Sequence, residues 1–106
     1  LHAATGVSGS SPAYLYAFIE ALEAAGAKAG LPQEVARDLA RATITGAAAL
    51  LARSGAEPAD LRIQVTSPGG TSAEAIYQME KGSLRTVLSK AVYSAYKRAV
   101  ELGKKS

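Results

Sequence analysis

The sequence predicts an all-α fold of about five helices. Apolar residues recur at three- and four-residue intervals, the spacing of an amphipathic helix. Proline or a capping residue stands where these segments start, and glycine stands near their ends. No segment needs a strand to explain its pattern. The 106 residues are 48% apolar and 20% charged, which fits one globular domain over residues 1–106 with a thin, alanine-rich core.

Residues 1–11 predict a loop, and the first helix is expected directly after them. Two glycines and three serines in this stretch are typical of a loop that lies against another part of the protein. Ser11 suits the N-cap and Pro12 the first helical position. Gly26 and Gly30 are expected stop signals. The apolar stripe of this helix consists of Leu15, Phe18, Ile19 and Leu22.

A second helix is predicted from Pro32 to about Ala52. It is apolar on several sides, so we expect it to be buried. Gly46 lies in its middle, where glycine costs about 1 kcal/mol relative to alanine. The cost is easiest to explain if another backbone crosses the helix closely at Gly46.

Two shorter helices are predicted next. Pro58 opens the third helix, with Leu61 and Val65 facing inward. The fourth helix follows the glycine pair at residues 69–70. There, Thr71 and Glu74 have the T-x-x-E spacing of a capping box, in which each side chain satisfies a backbone N–H.

The fifth helix carries a nearly seven-residue apolar repeat. It is expected to begin after Gly82, with Ser83 as its cap. The apolar faces of the first, second and fifth helices exceed what one thin core can hide, which predicts an intertwined homodimer. The repeat consists of Leu84, Leu88, Ala91, Ala95 and Leu102.

Composition excludes several classes of function. The chain has no cysteine, which excludes disulfides and thiolate zinc sites. His2, the only histidine, has no carboxylate at metal-ligand spacing, so we expect no metal. No apolar run reaches the roughly 18 residues of a membrane-spanning helix, and residues 1–11 do not resemble a signal peptide. We therefore expect a cytoplasmic protein without a membrane partner. A net charge of +3 with alternating signs predicts no nucleic-acid partner.

Residues 66–72, T-S-P-G-G-T-S, form the sharpest local feature. They predict a tight turn that leads into a helix, where free N–H groups and the helix dipole favour a carboxylate or phosphate. The hydroxyls of Ser67, Thr71 and Ser72 can add hydrogen bonds. A plain helix–helix turn without a ligand is the alternative, and the spacing alone leaves both open.

Four ordered motifs resemble the C-terminal dimerisation domain of pyrroline-5-carboxylate reductases. Residues 5–14, T-G-V-S-G-S-S-P-A-Y, are similar to the family pattern T-[AG]-[LV]-S-G-S-G-P-A-Y. Residues 26–32, G-A-K-A-G-L-P, are similar to G-V-x-x-G-L-P. Residues 64–71, Q-V-T-S-P-G-G-T, are followed by E-K-G at 80–82 and by Arg85 at the family spacing. Ser11 and Ser72 replace the usual glycine and threonine, and neither change removes a hydroxyl.

The resemblance implies reduction of 1-pyrroline-5-carboxylate to L-proline by NADPH or NADH. It implies that Ser72 lies near the imine nitrogen as a catalytic hydrogen-bond or proton donor, and that Gln64 contacts the cofactor. The substrate would be bound by Ser67, Gly69, Gly70, Thr71 and Ser72.

The family places a Rossmann domain, which would bind most of the cofactor, ahead of this region. Residues 1–106 contain no glycine fingerprint of such a domain. We therefore expect the chain to be part of a longer protein and to be inactive alone. A non-enzymatic helical interaction module, or part of another imine or hydroxy-acid reductase, are the alternatives. The choice between NADH and NADPH, and assembly beyond a dimer, stay open.

Overall fold

The described part of the chain contains five helices of seven residues or more. The structure, a computed structural model, describes residues 1–105. No strand occurs in these residues, so the predicted all-α class is confirmed. The helices are α1 (Ser11–Lys28), α2 (Gln33–Ser54), α3 (Pro58–Gln64), α4 (Thr71–Lys81) and α5 (Leu84–Lys105).

The segment ahead of α1 is helical rather than a loop. His2–Ala4 form one α-helical turn and Thr5–Gly9 a π-helical turn, and both pack on α5. The predicted contact with another part of the protein is therefore confirmed, while the predicted loop is wrong. The small residues of this segment allow it to pack closely on a helix. Within the segment, the Ser8 hydroxyl donates a hydrogen bond to the Ala4 carbonyl at 2.9 Å.

The start of α1 also differs from the prediction. The helix begins at Ser11 itself, and the Ser11 hydroxyl donates to the carbonyl of Val7 in the preceding turn. Its hydroxyl therefore serves an orphan carbonyl of the π-helical turn, whereas an N-cap would accept from an N–H of α1. The helix passes through Gly26 and ends at Lys28, close to Gly30.

The chain divides into two compact units, which we describe separately. The first unit combines residues 1–15 with the chain from Gly69 onward, and the second is Tyr16–Pro68. In the first unit, α4 and α5 are joined by a two-residue turn, and α5 carries the N-terminal turns.

In the second unit, α1 packs against α2 through small residues. Ala36 and Ala40 of α2 are 4% and 5% exposed, and in the described chain they are the buried apolar residues. Ala36 lies beside Gly26 of α1. At the edge of this contact, Arg41 and Glu23 form an ion pair at 3.7 Å.

Of two predictions for the second unit, one is not tested by the described chain and the other is wrong. No atom of the described chain, apart from the backbone of α2 itself, lies within 4 Å of where a Gly46 Cβ would be. The described chain therefore supplies no close crossing at Gly46, and the expected crossing stays a prediction. Val65, the C-cap residue of α3, is 69% exposed and so does not face inward in the described chain.

Most of the large apolar side chains are exposed. They include Leu39 and Leu50 of α2, and Leu88 and Leu102 of α5, each about half exposed. Singly exposed apolar residues are ordinary, but whole helix faces of them are not. The expected thin core is confirmed, and the broad apolar faces need a covering surface.

Candidate functional site

The candidate turn starts at the end of α3. The Thr66 N–H donates to the Ile63 carbonyl at 3.1 Å, and the Thr66 hydroxyl donates to the Arg62 carbonyl. These bonds satisfy carbonyls that the end of a helix leaves without N–H partners. Ser67 follows and is exposed.

Gly69 and Gly70 lead the chain into α4. Gly69 has φ +74°, in the left-handed region where a side chain is disfavoured. Gly70 is extended, with φ −82° and ψ 176°, and is the N-cap of α4. Its carbonyl accepts the first helical bond, from the Glu74 N–H at 3.2 Å. The local backbone therefore explains a glycine at position 69.

The predicted capping box is wrong. Thr71 is already the first residue of α4, and no side chain in residues 1–105 caps this helix start by a hydrogen bond. A capping threonine would need the extended backbone that Gly70 adopts instead. The N–H groups of Thr71 and Ser72 consequently remain available at the positive end of the helix dipole.

Thr71 and Ser72 differ in their exposure. Thr71 is exposed, whereas Ser72 is half-buried in the first turn of α4. Successive N–H groups and a nearby hydroxyl favour an anion at this position, and a carboxylate is one such group. The start of α4 can therefore hold a small carboxylate. The Ser72 hydroxyl can donate a hydrogen bond to that carboxylate or to an atom beside it.

Gln64 is the last residue of α3, and its side chain is exposed. It borders a groove of about 250 Å³ in the second unit. Its amide can both donate and accept hydrogen bonds. The other residues of the groove are Ala47, Leu50, Leu61, Arg62 and Val65.

The predicted site residues divide between the two units. Gly69, Gly70, Thr71 and Ser72 are consecutive in the first unit, whereas Gln64 and Ser67 belong to the second. The assignment of substrate and cofactor contacts therefore stays a prediction.

Sequence analysis missed a larger groove in the first unit. It has a volume of about 670 Å³ and is mostly apolar, with one guanidinium. The seven-residue repeat of α5 identified Leu88 on this face. It could not reveal that Ala3 borders the same groove, because the two residues are distant in sequence. The groove is lined by Ala3, Arg85, Leu88, Ser89, Val92, Tyr93 and Tyr96.

His2 and the hydroxyls near α1 have packing partners. The His2 ring meets Tyr96 edge-on, with ring centres 6.5 Å apart. The Ser10 and Tyr14 hydroxyls are 2.5 Å apart. No group of three or more potential metal ligands occurs in residues 1–105. In the same residues, every helix is too short or too polar to cross a membrane.

These helices define an all-α domain whose apolar faces need a partner surface. The family model described as pyrroline-5-carboxylate reductase dimerisation matches residues 1–102. The chain belongs to this family.

Curated relatives carry the same name. The chain is 49% identical over 100 residues to a pyrroline-5-carboxylate reductase of Arabidopsis thaliana, covering 94% of this chain and 36% of that protein. It is 46% identical over 105 residues to the Synechocystis sp. enzyme of that name, covering 99% of this chain and 39% of that protein. The chain therefore spans less than two fifths of either relative.

Solved structures share the fold. The NADP-bound pyrroline carboxylate reductase of Plasmodium falciparum matches with a TM-score of 0.91 at 36% identity, covering 96% of this chain and 41% of that one. A pyrroline-5-carboxylate reductase of Coxiella burnetii also matches at 0.91, with 40% identity, covering 95% of this chain and 37% of that one.

Proposed function

We propose that this chain is the dimerisation and substrate-binding part of an enzyme that reduces 1-pyrroline-5-carboxylate to L-proline. Membership of the dimerisation family over residues 1–102 supports the proposal. The single structural observation that carries it is the start of α4, which has no side-chain cap and offers N–H groups and the Ser72 hydroxyl. Residues 1–106 would act as one domain.

The substrate is a small ring that carries a carboxylate next to an imine. Gly69 and Gly70 expose the backbone, so the carboxylate can approach the N–H groups of Thr71 and Ser72. By the resemblance, Ser67 of the second unit would add a further hydroxyl to the substrate contacts. Reduction adds a hydride to the C=N carbon and a proton to the nitrogen. Ser72 would donate a hydrogen bond, or the proton itself, to that nitrogen.

NADPH or NADH would supply the hydride when bound. In this chain, the exposed amide of Gln64 beside its groove fits a polar contact to such a nucleotide. One amide is a small part of a nucleotide site, so most cofactor contacts would come from outside this chain. The role of this chain is then to hold the substrate ring still, which lowers the entropic barrier to hydride transfer.

The proposed partner is a second copy of the chain. The family description names dimerisation, and the half-exposed apolar faces of α2 and α5 supply the surface. An intertwined homodimer would cover these faces. The cytoplasmic location and the lack of a nucleic-acid partner stay predictions.

The proposal can be tested in a full-length protein. The test protein is a chimera in which this chain is joined to the part of the Synechocystis sp. relative that lies outside the match. We call this chimera the joined reductase. Ser72→Ala removes the proposed donor and should lower kcat/KM for 1-pyrroline-5-carboxylate by roughly tenfold to a hundredfold, the loss of one hydrogen bond in the transition state.

Two controls accompany Ser72→Ala. Ser94→Ala removes an exposed hydroxyl from α5 and should leave kcat/KM unchanged. Ser72→Thr keeps the hydroxyl and should keep most of the activity. Wild-type kcat/KM in Ser72→Ala would show that its hydroxyl has no such role. Binding of the joined reductase to a protein partner, without turnover, would favour the interaction-module alternative.

A further inference from the structure

The turn between α4 and α5 contains an unusual residue. Ser83 has φ +66° and is the one non-glycine residue of residues 1–105 with a positive φ. Side chains disfavour this left-handed conformation, and glycine is the residue that normally adopts it. Serine at position 83 therefore adopts this conformation at a local energetic cost.

Two charges beside the turn are also locally unfavourable. Glu80 lies in the last turn of α4, and Arg85 lies in the first turn of α5. The helix dipole favours cations at the end of a helix and anions at its start, so each charge is at the wrong end of its helix. The helix that carries each charge therefore does not explain why a residue of that charge stands there.

The two residues meet across the turn. The Arg85 Nε donates to the Glu80 Oε1 at 2.8 Å, with the side chains 71% and 44% exposed. An exposed ion pair adds little stability, so stability does not account for the arrangement. Features that break local rules at one place are expected at positions that serve function. The pair joins the last turn of α4 to the first turn of α5.

The angle between α4 and α5 sets where Ser72 lies relative to α5. Ser72 lies at the opposite end of α4, about 15 Å along the helix axis from Gly82. A rotation of about 5° at the turn would move Ser72 by about 1 Å over this length. A misplacement of that size in a catalytic site can cost about a hundredfold in rate.

We propose that Glu80 and Arg85 are positioning residues for the substrate turn of the reductase. Their ion pair, with the constrained Ser83, sets the direction of α4 and thereby the place of the Ser72 hydroxyl. This inference rests on the proposed function.

The first test compares ion pairs of similar exposure in the joined reductase. Arg85→Gln should lower kcat/KM for 1-pyrroline-5-carboxylate by about tenfold, a fraction of the cost of a 1 Å misplacement. The matched control is Arg98→Gln, which breaks the Arg98–Glu101 pair of α5, made at 3.0 Å with side chains 59% and 58% exposed. It should change kcat/KM by less than about twofold. Equal effects of the two variants would overturn the proposal.

An exchange of charges tests the pair itself. Arg85→Glu alone places two carboxylates across the turn and should lower kcat/KM further than Arg85→Gln. Adding Glu80→Arg restores an ion pair of opposite polarity, which also agrees with both helix dipoles. The double variant should recover to within about threefold of wild type. Failure to recover, in a double variant that unfolds at the wild-type urea concentration, would reject the pair as the positioning contact.

A double-mutant cycle separates positioning from structure. If the pair acts through Ser72, Arg85→Gln should cost less than about twofold in a Ser72→Ala background, because the group it positions is gone. A general structural defect would lower kcat/KM by the same factor in the wild-type and Ser72→Ala backgrounds. That result would reject the positioning role. An unchanged kcat/KM in Ser72→Ala alone would instead refute the proposed role of Ser72.

Discussion

Gly6 is buried where the N-terminal π-helical turn meets α5. A methyl group on the Gly6 Cα would lie 2.9 Å from the carbonyl oxygen of Val92 and 3.0 Å from the Cγ1 atom of Val92. Backbone atoms cannot move aside as a flexible side chain can, so the two segments approach this closely only with glycine at position 6.

Gly6→Ala should therefore destabilise the chain by about 1–3 kcal/mol, the usual cost of overpacking. Urea unfolding of the 106-residue chain measures the change. Gly103→Ala is the matched control, because its methyl would lie 3.4 Å from the His2 ring, an ordinary contact. It should keep or slightly raise the stability, since alanine favours helices. An unchanged midpoint for Gly6→Ala would contradict the close contact.

At the candidate site, local sequence predicted part of the geometry. The glycine pair and the following helix start were foreseen, and Gly69 has the positive φ that such a turn needs. The capping box was predicted wrongly, because a T-x-x-E spacing does not show which residue is the N-cap. A shift of one residue, from Thr71 to Gly70, leaves the helix start open to a ligand.

At the scale of elements, α2 has an apolar stripe that the described chain leaves largely uncovered. Leu39, Gly46 and Leu50 share one side of the helix, at spacings of seven and four residues. Both leucines are about half exposed, and the space over Gly46 is open in the described chain. We expect the close crossing at Gly46 to come from a second copy of the chain.

Gly46→Leu should weaken self-association by at least about tenfold, because its side chain would fill the space that a crossing helix needs. Thr45→Leu is the control, one residue away and about 100° round the same helix. It should leave the association unchanged. Sedimentation equilibrium gives both dissociation constants. Equal constants for Gly46→Leu and wild type would refute a close crossing at Gly46.

The bounds of the helices were largely predictable. The third and fourth helices start at Pro58 and Thr71 as predicted, and α2 extends only two residues beyond the expected end. Proline, glycine and apolar spacing act locally, so one sequence reports them well. The helical form of residues 2–9 was missed, because it depends on packing against α5, far along the chain.

At the scale of the whole molecule, burial requires a partner. Ala36 and Ala40 are the buried apolar residues of the described chain, whereas whole faces of leucine and tyrosine are exposed. Association with a second copy would bury part of these exposed faces.

We expect the chain to be a dimer at micromolar concentration, with an obligate interface of more than about 2,000 Å². Its urea midpoint should rise with protein concentration, because dissociation and unfolding are then linked. Sedimentation and concentration-dependent unfolding check this independently. A folded monomer with a concentration-independent midpoint would be inconsistent with it.

The 106-residue chain alone should not oxidise NADPH or NADH when 1-pyrroline-5-carboxylate is added. It offers Gln64 as one proposed cofactor contact, and hydride transfer needs both reactants held in place. The joined reductase, assayed in parallel, is the positive control. Substrate-dependent cofactor oxidation by the chain alone, at a rate proportional to its concentration, would contradict the expectation.

The amino-acid sequence by itself determined the helical class, most helix ends and the glycine turn, because these depend on local backbone preferences and apolar spacing. Tertiary structure alone decided that Gly6 packs on Val92, that Ala3 and Arg85 border one groove, and that Glu80 meets Arg85 across a strained turn. Such contacts depend on where separate helices meet in space. The spacing of residues along one helix carries no record of its neighbour, so only the folded chain could show them.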